Sequence, residues 1–251
     1  MLSFLGIGAQ KAGTTWLYEI LRQHPELGFP GGKESHYWTL RTAARDAGAV
    51  AAYLAHFQDP RRREGEITPA YAALDEAAIA CLGAAAPRLR LIFMMRNPLE
   101  RAWSAALMVL ARLDMEYAEV SDAWFLTLLR SRASLDRGDY AATIRRWCRW
   151  FPREALLTPT YETLGTDPEG LVNACLRHIG VAELDPATLR RLGTRRVIFA
   201  GQHRPLPAPL WAELRGLYQD RIADLEQLLD LDLSHWLTPP PAGGSERVVA
   251  T

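Results

Sequence analysis

The sequence predicts an α/β fold, a single domain with a parallel β-sheet flanked by helices. Three observations carry that prediction. Short apolar runs recur at residues 3–9, 89–95 and 155–160; a helix follows each; and the first run ends in a glycine-bearing turn. Strands that alternate with helices are joined by crossovers, which makes the strands parallel and places helices on both faces.

Each element has a local cause. Residues 3–9, Ser-Phe-Leu-Gly-Ile-Gly-Ala, form a short apolar run, as a strand covered on both faces requires. Thr14 or Thr15 then caps a helix whose apolar face is Trp16, Leu17, Ile20 and Leu21. His24-Pro25 closes it, since the residue before a proline disfavours helix. The run from Leu89 to Met95 leaves Arg96 at a strand's carboxyl end, where Asn97 caps and Pro98 starts a helix through about Arg112. Residues 155–160 form a third strand, leading through Tyr161-Glu-Thr-Leu into a helix from Pro168 to Ile179. Further helices are expected at 43–57, 75–83, 121–131 and 139–150, and from Pro209 to about Leu229. Trp147, Trp150 and Trp211 fit apolar helix faces and are assigned to the core. The domain is read as residues 1–238. Residues 239–251 begin Pro-Pro-Pro, contain Gly-Gly and are expected to be a flexible C-terminal tail.

The bulk numbers exclude several classes of partner. Of 251 residues, 49% are hydrophobic, enough for one substantial core. Lys plus Arg and Asp plus Glu both count 29, so no global field draws the chain to nucleic acid or to an anionic membrane. Any anion site must be local. Cys81, Cys148 and Cys175 are far apart and lack metal-ligand spacing, as expected of reduced cytoplasmic thiols with no metal and no disulfide. No window approaches 18 consecutive apolar residues, so no membrane span is expected. The oligomeric state stays open.

Gly8-x4-Gly13-Thr14-Thr15 has the spacing of a phosphate-binding loop, except that Thr14 stands where lysine is expected and lysine comes earlier, as Lys11. Backbone amides of residues 12–16, turned outward at a helix N-terminus, still bind an anion. A nucleoside triphosphatase needs the later lysine for β- and γ-phosphates and a second acidic metal site. Independently, Arg96 lies where an open α/β sheet binds ligands.

Taken together, GAQKAGTTWLYEIL at 8–21 and MMRNPLERAWSAAL at 94–107 resemble the two donor-binding motifs of sulfotransferases, particularly the heparan-sulfate-modifying type and its bacterial relatives. The resemblance implies a phosphate-loop-NTPase-like sulfotransferase fold, 3′-phosphoadenosine-5′-phosphosulfate (PAPS) as donor and 3′-phosphoadenosine 5′-phosphate (PAP) as product, with no metal. It implies that Lys11, Ala12, Gly13, Thr14, Thr15 and Trp16 hold the phosphosulfate, Lys11 also acting on the leaving 5′-phosphate. Arg96 and Ser104 match the pair that holds the 3′-phosphate. Arginine suits that task because its planar fork takes two phosphate oxygens at once.

Lys33-Glu34-Ser-His36-Tyr37-Trp38 resembles the segment that carries the family's catalytic glutamate. This makes Glu34 the general base, with His36 orienting it or touching the acceptor. Residues 65–71, Gly-Glu66-Ile67-Thr-Pro-Ala-Tyr71, resemble the family's Glu-Lys-Thr-Pro-x-Tyr segment with Ile67 in place of its lysine. Lys33 is then the substitute cation, and Glu66 the reserve base. Gln202, His203 and Arg204 precede the final helix where the family closes a loop over adenosine and 3′-phosphate, and Tyr161 resembles a residue placed near adenine. The acceptor implied is a hydroxyl or amine of a small molecule or glycan, a carbohydrate or glycosylated metabolite first. The alternative is a phosphate-loop small-molecule kinase using ATP and magnesium.

Overall fold

A computed structural model describes residues 1–40, 47–196 and 204–239. Five strands, β1 (Leu2–Gly8), β2 (Leu27–Gly28), β3 (Arg63–Ile67), β4 (Arg90–Phe93) and β5 (Leu156–Leu157), form one sheet. Its order is β2-β3-β1-β4-β5 and every pairing is parallel. The helices described are α1 (Thr14–Leu21), α2 (Tyr37–Leu40), α3 (Ala47–Leu54), α4 (Glu76–Ala85), α5 (Pro98–Arg112) and α6 (Asp122–Leu129). They continue with α7 (Arg132–Gly138), α8 (Tyr140–Cys148), α9 (Tyr161–Thr166), α10 (Pro168–Ile179), α11 (Pro186–Leu192) and α12 (Ala208–Leu229). The predicted fold class is the one observed.

β1 lies at the centre, with Leu5 opposite Glu66 of β3 and Leu91 of β4. Phe4, Leu5 and Ile7 are fully buried, which the apolar run at 3–9 foretold. β1 and β3 approach so closely that a Cβ at Gly65 would stand 2.2 Å from the Phe4 carbonyl oxygen, so only glycine fits there.

The sheet has two strands more than the apolar runs indicate. β3 reads Arg-Glu-Gly-Glu-Ile, too charged to look buried, yet its carboxylates are satisfied inside the structure. Glu64 accepts the Asp59 N–H at 2.9 Å, and Glu66 accepts three hydroxyls described below. Strand limits also contract. Of the run 89–95 only Arg90–Phe93 pairs continuously, and of 155–160 only Leu156–Leu157. Pro159 has no N–H for a ladder. Its carbonyl accepts the Met95 N–H at 2.8 Å, and a last bridge joins Met95 to Thr160.

The helices at 76–85, 98–112, 122–129, 140–148, 168–179 and 208–229 fall where periodicity places them. Of the helix expected at 43–57, residues 47–54 are helical and 41–46 lie outside the described residues. Asn97 caps α5 through a 3.0 Å bond from the Leu99 N–H, as expected. Trp147 is buried. Trp150, past the end of α8, is 47% exposed, so its assignment to the core is corrected. Of the tail expected at 239–251, residues 240–251 lie outside the described residues.

Candidate active site

In the order β2-β3-β1-β4-β5 the chain goes from β1 to the edge strand β2, returns to β3 beside β1, and then crosses to β4 on the other side of β1. The crevice at the carboxyl ends of β1 and β4 is therefore the switch point at which open α/β sheets bind ligands. Residues 9–13 leave β1 into that crevice, and Arg96 follows β4 into it.

The loop is tied to the sheet at its base. The Ala9 N–H donates to Met94 O at 2.7 Å, and Ala12 N–H to Ala9 O at 3.2 Å. Lys11 and Gly13 both have left-handed backbone, at φ 70° and 78°. Gly13, not Thr14 or Thr15, occupies the N-cap of α1, and no side chain bonds there. Thr14 is already inside the helix and buried, which corrects the expected threonine cap. The consequence favours ligand binding, because an uncapped first turn leaves its amide donors for an anion.

Gly13 is required by shape as well. A Cβ there would meet Leu164 Cδ1 at 2.9 Å and the Tyr161 ring at 3.3 Å. Ala12 is fully buried, and Trp16 is buried with its indole N–H donating to Thr194 O at 3.0 Å. Trp16 thus latches the loop to the segment after α11.

Arg96 binds the parts together. It is 8% exposed, donates from Nη1 to Lys11 O at 3.2 Å, and lies 4.6 Å from the centre of the Tyr161 ring. Its Nε and Nη2 reach Glu100 Oε2 at 3.2 and 3.1 Å. The backbone is fixed on both sides, by Tyr140 hydroxyl donating to Arg96 O at 2.7 Å and by Tyr161 N–H donating to Met95 O at 2.7 Å. Burial pushes the Lys11 ammonium below the ordinary lysine range, and the Arg96 and Arg112 charges push it further. Cations therefore converge on the loop. Ser104 stands one turn beyond Glu100 on α5, half-buried.

The segment 33–36 adjoins β3. Lys33 bridges to Ile67, and the Glu34 N–H donates to Ile67 O at 3.0 Å, so Glu34 sits at the same carboxyl edge of the sheet as the loop. Glu34 and His36 both have left-handed backbone, at φ 59° and 55°. The Glu34 carboxylate pairs with the Lys33 ammonium, and its other oxygen lies 3.5 Å from His36 Nε2. It is 41% exposed, open to a substrate.

Glu66 is 1% exposed. Its oxygens accept the hydroxyls of Tyr53, Tyr71 at 2.9 Å and Thr68 at 3.1 Å. Burial and the Glu66 charge raise both tyrosines, which keeps them protonated as donors. Tyr71 in turn bonds Ser35 Oγ at 3.2 Å and accepts the Trp38 N–H at 3.4 Å. Glu66 thereby braces the strand of residues that carries Glu34.

Arg204 stacks its guanidinium 4.5 Å from the centre of the Tyr117 ring, and its carbonyl accepts the Trp103 indole N–H at 2.7 Å, next to Ser104. Gln202 and His203 lie outside the described residues. Sequence reasoning missed Tyr140, Glu169, Thr194 and Arg195. Arg195 makes a two-pronged pair with Glu169 at 3.0 and 2.9 Å, and Thr194 donates to the same carboxylate at 2.9 Å while holding Trp16. Only the proximity of Trp16 and Thr194, 178 positions apart, reveals them. Among the described residues no group of three or more His, Cys, Asp and Glu is arranged to hold a metal ion.

An open parallel sheet with a glycine loop, an uncapped helix and converging cations at its switch point has the architecture of α/β proteins of the phosphate-loop type. Comparison narrows the class. The sulfotransferase domain family matches residues 80–192. Human heparan sulfate glucosamine 3-O-sulfotransferase 3B1 is 29% identical over 188 residues, 71% of this chain and 46% of that protein. The crystal structure of a sulfotransferase from Alicyclobacillus acidocaldarius is 26% identical, with a TM-score of 0.71 over 95% of this chain and 99% of that one. Mouse sulfotransferase SULT7A1, complexed with PAP, shares the fold at 15% identity and a TM-score of 0.59, over 91% of this chain and 87% of that one. The chain is similar to sulfotransferases, a family of transferase enzymes, and among them to the heparan-sulfate type. It spans about half the length of the curated relatives it matches.

Proposed function

We propose that this chain transfers the sulfuryl group of PAPS to a hydroxyl or amine of an acceptor, by in-line displacement with Glu34 as general base. The observation that carries the reading is Arg96. One buried guanidinium touches the phosphosulfate loop at Lys11 O and stacks on Tyr161, so the sites for the donor's two ends are a single mechanical unit.

The residues present fit the donor. The amides of 12–16 and the Lys11 ammonium surround a phosphosulfate, Arg96 and Ser104 take the 3′-phosphate, and Tyr161 offers a ring near adenine. Arg204 closes over that end. Glu34 removes the acceptor proton as the acceptor oxygen or nitrogen forms its bond to sulfur. The bond from sulfur to the bridging oxygen breaks, and its electron pair leaves on the 5′-phosphate of PAP, where Lys11 balances the charge. His36 steadies the Glu34 carboxylate, and the buried hydroxyl-bound state of Glu66 supports the assignment of the base to Glu34. The substitute cation for the family lysine is Lys33, which already pairs with Glu34.

A carbohydrate or glycosylated metabolite is the acceptor favoured by the names of the relatives, heparan sulfate glucosamine 3-O-sulfotransferases. The separated free cysteines go with a reducing cytoplasm. Calorimetry with PAP and with ATP plus magnesium tests the reading. Tight PAP binding without a magnesium requirement is expected; preference for magnesium-ATP would replace it with a small-molecule kinase.

A further inference from the structure

A cavity of about 280 Å³ opens between α5, the turn from α6 into α7, and Gln10 of the phosphate loop. Its α5 wall consists of Arg101, Ala105, Met108, Val109 and Arg112, which recur at helical spacing roughly a quarter turn round from Ser104. Leu128 and Leu129 add to an apolar lining. Gln10 places the cavity beside Lys11, and Arg112, one of its walls, is near enough to bias the Lys11 charge.

Half of the polar side chains lining this space, Arg101, Arg112 and Arg137, are cationic. Arg101 lies at its floor, fully buried, and Arg112 and Arg137 are exposed at its mouth. Among the described residues no Asp or Glu lines it. Arg101 Nη2 donates to Ser134 O at 3.0 Å, but its Nε and Nη1 are buried with no partner. Leaving two donors of a buried guanidinium unmet is costly, and a seated anion removes that cost. Partial desolvation of the Arg137 guanidinium and the Arg101 charge press it below the ordinary arginine range, with Asp136 opposing. Asp136 itself lies 3.5 Å from Arg132.

The same lining is poor for a bare sugar. Ser131 already donates to Leu128 O at 2.7 Å, which leaves Gln10 and Ser134 as the neutral hydrogen-bonding side chains beside an otherwise apolar and cationic wall. We infer that this cavity is a second ligand site, and that it takes a small, largely apolar group bearing one carboxylate, sulfate or phosphate that reaches Arg101.

Calorimetry on the PAP-saturated chain tests it with three probes: 4-phenylbutyrate, 4-phenylbutan-1-ol with the same body and no anion, and glucuronate with an anion on a polar body. Phenylbutyrate is expected to bind at least about tenfold more tightly than either, the scale of one charged hydrogen-bond pair. Ala105→Leu, which fills the cavity, abolishes that binding and leaves PAP affinity within about twofold, as separate sites predict. Arg137→Met weakens phenylbutyrate alone, and needs no change at the buried floor. Equal binding of acid and alcohol, tighter binding of glucuronate, or binding unaffected by Ala105→Leu would each overturn the inference. If the wild-type chain fails to take up PAP, the donor reading falls. If PAP binds and phenylbutyrate does not, the cavity proposal falls alone.

Discussion

Replacing Arg96 by alanine removes the group on which both ends of the proposed donor site depend. A charge-assisted hydrogen bond to phosphate contributes about 1.5–3 kcal/mol. In the ligand-free chain the same fork is held by Glu100, 42% exposed, and a pair that open is worth about 0.5–1 kcal/mol, which the phosphate must displace. The net loss is then about 1–2 kcal/mol, or a roughly 5- to 30-fold rise in the Kd of PAP. Adenosine 5′-phosphosulfate lacks the 3′-phosphate, so its Kd should rise far less, by what the Lys11 O contact gives to loop order. Calorimetry with both nucleotides on wild type and Arg96→Ala reads the difference directly. Equal weakening of the two would refute the assignment of Arg96 to the 3′-phosphate and leave it as a brace of the loop. Arg96→Lys sharpens the test, because it keeps the charge while giving up the two-pronged geometry, and should recover only part of the loss.

Glu34→Gln is expected to lower kcat by roughly 10² or more while leaving the Kd of PAP within about twofold, the usual scale for loss of a proton acceptor; unchanged turnover in a steady-state assay rejects Glu34 as base. Gly13→Ala forces a side chain into φ 78° and against Leu164, costing about 1–2 kcal/mol from the backbone alone and lowering Tm by about 2–8 °C. An unshifted melting curve would contradict the geometry of the loop. Burial and the charges of Arg96 and Arg112 hold the free Lys11 below the ordinary lysine range, so PAP affinity should decline on the alkaline side at lower pH than an unperturbed lysine gives. Arg112→Gln removes one of those charges and should move the decline to higher pH in a titration of PAP binding. Folding carries the opposite sign: the unfolded chain holds this proton more tightly, so the Lys11 contribution to stability rises with pH across that window.

The sequence by itself determined the parallel α/β class, because three short apolar runs each led into a periodic helix. It determined the loop at 8–16, Arg96 and Glu34 as candidates, since glycine spacing and charge placed after a strand are local properties. It could not show β3. The charges of Arg63, Glu64 and Glu66 read as a surface segment, and only the hydroxyls of Tyr53, Thr68 and Tyr71 and the Asp59 amide, brought in from elsewhere, make the two carboxylates compatible with burial. A cap offered by Thr14 was plausible along the chain, but the left-handed backbone at Gly13 set the helix start one residue earlier. The Trp16–Thr194–Glu169–Arg195 latch and the cavity over Arg101 belong wholly to tertiary structure. Their members lie tens of residues apart, and whether a guanidinium is satisfied depends on what the fold packs around it rather than on its neighbours in sequence.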